Sequence, residues 1–176
     1  MDKCVIVSDA WAEAFDFNVK AIPNLNQLNY TYGIYLNNML PSIRQCADVY
    51  HVGEGKKLMH TIDVSEDCVL NHVHEIDKVY EHYYICGFHL GRCTHTKAMS
   101  LAEHLGNYNN ISVVYNLSMM YPPDKPSKIL ENSHQFELIN YDKNVGFTSK
   151  GVPQTAHLKS LPIHLPTKYV LEGFFI

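Results

Sequence analysis

The chain has 176 residues, 46% of them apolar and 18% charged, which is a globular composition and excludes a largely disordered chain. That length suits one domain with a full core and is short for two, so a single domain over residues 1–176 is expected. The formal net charge of −4 offers no basic footprint for nucleic acid, and no apolar run approaches the roughly 20 residues that span a bilayer. With no basic and apolar leader pattern at Met1, the expectation is a cytoplasmic protein with a small-molecule partner, no nucleic acid and no membrane.

Lys3 to Ser8 is a short apolar strand that closes on Asp9. In open parallel sheets functional groups gather at the carboxyl ends of strands, which makes Asp9 a candidate; a cap for the following turn is the other reading. Ala10 to Lys20 holds Trp11, Phe15 and Phe17, aromatic residues suited either to packing under a loop or to a flat ligand. From Pro23 to Cys46, Leu25, Leu28, Tyr32, Tyr35, Met39 and Ile43 recur at three- and four-residue spacing, which predicts a helix interrupted at Gly33 and Pro41. Asp48 to Val52 reads as a second strand, and the strand-helix-strand unit implies parallel pairing with a right-handed crossover.

Residues 53–57 form a glycine-rich loop, residues 58–64 read as a third strand, and Ser65 can cap a helix to about Asp77, with Glu66 and Asp67 in its first turn. Val79 to Cys86 is rich in aromatic and branched residues and stops at Gly87, as a buried strand would. Beyond Cys93, Ala98, Leu101, Ala102 and Leu105 fall at i, i+3, i+4 and i+7, an apolar helical stripe that Gly106 can end. Cys93 therefore sits at or near a helix N-terminus, where the dipole and unpaired N–H groups lower a thiol pKa and offer donors to an oxyanion. The plainer reading is that a cysteine is a small buried hydrophobe.

Asn107 to Asn110 reads as a turn and Ile111 to Tyr115 as a further strand. Prolines 122, 123, 126, 153, 162 and 166 make residues 122–176 a less regular C-terminal extension, whose apolar end at Phe174, Phe175 and Ile176 should be covered by its own domain or by a neighbouring subunit. A homo-oligomer is expected on that ground. The five cysteines are odd in number and lack a C-x-x-C spacing, which argues against a disulfide framework or a cysteine zinc site. The eleven histidines show no H-E-x-x-H pattern and read chiefly as polar surface.

Strand-Asp9 followed by Ile85-Cys86-Gly87-Phe88-His89-Leu90-Gly91-Arg92-Cys93, with Ala98 in the next helix, resembles the isochorismatase-like cysteine hydrolase superfamily, which includes nicotinamidases and other amidohydrolases. The resemblance covers roughly residues 3–121. It implies a three-layer α/β/α sandwich with a mostly parallel, Rossmann-like sheet. It further implies Cys93 as nucleophile, Asp9 as base, an oxyanion hole of N–H groups near His89 and Cys93, and a substrate site walled by Trp11 and Phe15. The lysine of the triad is implied at the end of the third strand, where Asp63 to Asp67 stand; Lys57 and its neighbour Lys56 are the nearest candidates. The sequence departs from the family at Thr94 and at Asn116, where an aliphatic residue and an acid are usual. Nicotinamidase-like members hold a metal beside the triad through an acid and histidines. Asp48, His51 and His60 do not reproduce that spacing, so neither a tightly bound metal nor another cofactor is expected.

Two functions follow. One is a cysteine hydrolase acting on a small amide or related substrate. The other is a catalytically impaired binding or interaction protein on the same fold. A nucleotide-binding α/β domain lacks its G-x-G-x-x-G or P-loop sequence here.

Overall fold

The computed structural model describes residues 1–8, 25–53, 62–88, 90, 93–119 and 136–152. Strands β1 (Lys3–Ser8), β2 (Asp48–Val52), β3 (Cys68–Leu70), β4 (His82–Phe88), β5 (Ile111–Met119), β6 (Glu137–Asp142) and β7 (Gly146–Thr148) form one sheet in the order β3-β2-β1-β4-β5-β6-β7. The first six are parallel and β7 returns antiparallel to β6. Helix α1 (Leu25–Arg44) and helix α2 (Cys93–Leu105) complete the regular elements, apart from a 3₁₀ turn at Val73–Glu75.

The layers follow from the burial of β1 on both faces, which is why its sequence is a continuous apolar run. Val5 and Val7 face α1, which packs Tyr32, Leu36, Leu40 and Ile43 against them. Cys4 and Ile6 face α2, with Ala98, Leu101 and Ala102, and the 3₁₀ turn, with Val73 and Ile76. A helix on each face of a mostly parallel sheet is the three-layer α/β/α sandwich expected.

Three expectations are corrected. Helix α1 runs through Gly33 and Pro41 without a break. Pro41 lies on its exposed side, and the fully buried stripe opposite supplies more packing than the missing N–H removes. The third strand is Cys68–Leu70, not residues 58–64; residues 62–67 are bends and turns, and 58–61 lie outside the described residues. No helix runs from Ser65 to Asp77. Asp63 Oδ1 accepts the Ser65 N–H at 3.0 Å, and Arg44 draws Asp67 into a two-point ion pair, so neither residue is free to start a helix.

Strand β5 runs four residues beyond its expected end, and its register against β4 shifts between Ile85 and Gly87. Carbonyls in this irregular stretch find other donors: Tyr32 Oη donates to Leu117 O at 2.7 Å and Tyr35 Oη to Asn116 O at 2.8 Å. The Asn116 side chain bonds the Tyr141 backbone twice, Nδ2 to O at 2.7 Å and Oδ1 from N at 2.8 Å, and so ties β5 to β6. Strand β6 itself lies within the segment expected to be less regular.

Candidate active site

The strand order places the topological switch between β1 and β4. From β1 the chain builds outward through β2 and β3, then crosses back to β4 and builds outward the other way. At such a switch the connections leaving adjacent strands diverge to opposite faces and open a crevice at the carboxyl ends. Ser8 ends β1, immediately before Asp9, and pairs with Gly87 of β4. Cys93 follows six residues after Gly87, as the first residue of α2.

Gly87 holds this junction together. Its φ is +107°, and an added Cβ would lie 2.4 Å from Ser8 O and 2.6 Å from Ser8 N, so β1 and β4 meet only because no side chain intervenes. Leu90 is fully buried in the connecting loop, and Thr94 is fully buried behind Cys93. The hydroxyl-bearing Thr94 thus occupies the inward position of the first turn while Cys93 is half-buried at the helix end. Asp9, Trp11, Phe15, Lys56, Lys57, His60 and His89 lie outside the described residues.

The other cysteines are chemically different. Cys4 and Cys86 are fully buried, and loss of solvation pushes both thiols well above the ordinary range. Cys68 is exposed on the edge strand, and among the described residues none of the five cysteines is joined in a disulfide.

The residues named for a metal do not share a site. Asp48 opens β2 and is bound there by Lys78 Nζ at 2.7 Å and Tyr80 Oη at 2.8 Å. His51 lies three residues farther along the strand, about 10 Å away, and its Nε2 is 2.8 Å from Asp67 Oδ2. The donor set therefore does not fit a metal bound by Asp48 and His51 together.

Instead His51 belongs to a buried polar cluster that sequence reading missed. Arg44 Nε and Nη2 donate to the two Asp67 oxygens, each at 2.8 Å, and the His51 and Asp67 side chains are each 1% exposed. Burial alone would raise the Asp67 carboxyl, but the hydrogen bonds from Arg44 and His51 outweigh it and hold the group below the ordinary carboxylate range. Because the folded value is the lower one, this contribution is present above about pH 4, the unfolded carboxylate range, and is lost as pH falls through the folded value. Asp67→Asn should therefore cost about 3 kcal/mol at neutral pH and flatten the acid limb of stability. Urea unfolding at neutral and acid pH checks this; a loss under about 1 kcal/mol would show the cluster to be inessential. No local signal joins Arg44, His51 and Asp67, which lie in three different elements.

A cavity of about 470 Å³ lies at the opposite, amino end of the sheet, lined by Arg44, Asp48, Tyr50, Asp67, Lys78 and Tyr80 among others. Its charged groups are spent on each other in the Arg44–Asp67 and Lys78–Asp48 pairs. The crevice at the carboxyl ends is thus the better candidate for chemistry.

No protein-family model matches the chain, and no curated protein matches it. Solved structures do share its fold. A pyrazinamidase of Pyrococcus horikoshii in complex with zinc superposes with a TM-score of 0.55 at 13% identity, over 80% of this chain and 100% of that one. An isochorismatase-like hydrolase from Alkaliphilus metalliredigens gives 0.59 at 12% identity, over 80% of this chain and 95% of that one. The fold is isochorismatase-like.

Proposed function

We propose that this protein is a cysteine hydrolase acting on a small amide or related substrate, with Cys93 as nucleophile and Asp9 as base. The observation that carries the reading is the switch point, where the strand ahead of Asp9 and the strand ahead of Cys93 end side by side with Cys93 opening a helix. In this reading Cys93 Sγ attacks the carbonyl carbon as Asp9 takes the thiol proton. The oxyanion is met by N–H groups near His89 and Cys93. The amine leaves with a proton returned from Asp9, and water, with Asp9 again as base, hydrolyses the thioester and restores the thiol. A carboxylate alone would raise the cysteine pKa by repulsion; Lys57 is the cation assigned to offset that cost, and Trp11 and Phe15 wall the substrate.

A second reading, a binding protein that keeps the fold without the chemistry, draws on one observation. Strand β3 ends at Leu70 and leads into Asn71 and His72, so no lysine follows it at the place the resemblance implies. The two readings differ in whether a lysine amine reaches the Cys93 sulfur.

Thiol mapping tests the proposal. With limiting iodoacetamide slightly below neutral pH, a thiolate at a helix N-terminus should be alkylated ahead of Cys68, which is exposed but has no helix end beside it; Cys4 and Cys86 should stay unmodified. Peptide mass analysis over time gives the order. If Cys68 reacts first and Cys93 lags, the nucleophile assignment falls and the second reading stands.

A further inference from the structure

Away from the crevice, three imidazoles stand together on the surface. His72 and His74 flank Val73 at the 3₁₀ turn, and His104 lies in the last turn of α2. The His72 and His74 ring centres are 5.1 Å apart, and those of His74 and His104 are 6.3 Å apart. All three residues are exposed, but the backbone beneath them is held. Val73 and Ile76 are buried in the cluster that contains Leu101 and Ala102 of α2. Glu75 Oε2 accepts the N–H groups of Asn71 and His72 at 2.8 and 2.9 Å, which braces the loop.

We propose that His72, His74 and His104 form a surface site for a divalent transition-metal ion, zinc or copper(II). Imidazole suits both ions. Two imidazoles sharing a tetrahedral ion through bonds of about 2.0–2.1 Å bring their ring centres to roughly 5 Å, the separation His72 and His74 already have. As the side chains stand, no three ligands among the described residues converge on one point. The ion closes the site by turning exposed rings, a motion that side chains on the surface make in nanoseconds or less. Glu75 puts a carboxylate beside the ion. The bound cation sits at the C-terminal end of α2, where the helix dipole favours positive charge. It ties the 3₁₀ turn to the helix whose first residue is Cys93.

The test uses the full chain, stripped of metal with a chelator and titrated calorimetrically with zinc near neutral pH, alongside His72→Ala, His74→Ala, His104→Ala and the triple variant. One zinc per chain is expected. His74→Ala, which removes the middle ring, should weaken binding at least about tenfold, the lower end of what loss of a hydrogen-bond partner behind a ligand already costs a metal site. The triple variant should lose the site. Zinc should raise the unfolding midpoint of the unmodified protein and leave that of the triple variant unchanged, while the metal-free midpoints of the two agree. Copper(II) bound to the unmodified protein should show hyperfine coupling to at least two nitrogens. Undetectable binding at millimolar zinc, or equal zinc affinity in the triple variant, overturns the proposal. Neither result bears on Cys93.

Discussion

Cys93→Ala is expected to abolish hydrolysis of any small amide the protein turns over, by a factor on the order of 10⁴ or more, because the covalent route disappears with its nucleophile. The same change should cost only about 1 kcal/mol of stability, since a small, half-buried side chain at a helix start is being truncated. Loss of rate and loss of fold are therefore separable, provided turnover and thermal unfolding are measured on one preparation. Cys86→Ala is the control: its fully buried thiol packs beside Val7 under α1, so that variant should lose stability and keep kcat. Full turnover by Cys93→Ala removes Cys93 from the mechanism. If the unmodified protein turns over no member of a broad amide panel, the binding-protein reading takes its place.

Gly87→Ala should destabilise the protein by on the order of 4 kcal/mol, the sum of a left-handed backbone conformation forced on an L side chain and an overlap that β1 and β4 must separate to relieve. The overlap is with backbone, at 2.4 Å from Ser8 O and 2.6 Å from Ser8 N, and no rotamer change can relax it. Gly106 offers the comparison. It also has a positive φ, +65°, but no atom within 4 Å of an added Cβ, so Gly106→Ala should lose only the backbone contribution, about 1 kcal/mol. Urea unfolding of the two variants side by side separates strain from collision. Equal losses would mean that the β1–β4 contact is not as tight as described. Because the same two strands end at the crevice, Gly87→Ala should also impair turnover under conditions where the protein remains folded.

How much was legible in the chain depends on how far each interaction reaches. The bounds of β1 and β2 and the start of α2 were readable from apolar runs and the 3.6-residue period, because those patterns report burial against whatever lies beside them. So was the parallel sandwich, since strands buried on both faces imply helices above and below. Residues 62–77 were not readable. Their sequence is compatible with a capped helix, and what prevents one is Arg44, some twenty residues earlier, capturing Asp67 together with His51. Pro41 misled in the opposite direction, because a local breaker was outweighed by a buried stripe on the far side of α1.

From the sequence alone came the spacing of Gly87 and Cys93, the helix that Cys93 opens and the strand that precedes Asp9, all properties of neighbouring residues. Tertiary structure decided that these two stretches end side by side. The order of strands, and hence the switch between β1 and β4, depends on which edges pair once the apolar faces are covered. It also decided that β3 is three residues long, that Asn116 serves β6 rather than a catalytic acid's position, and that Arg44, His51 and Asp67 form one buried cluster. In each case the partners are distant in sequence, and the energy that selects them is the desolvation of groups that meet only in the folded chain.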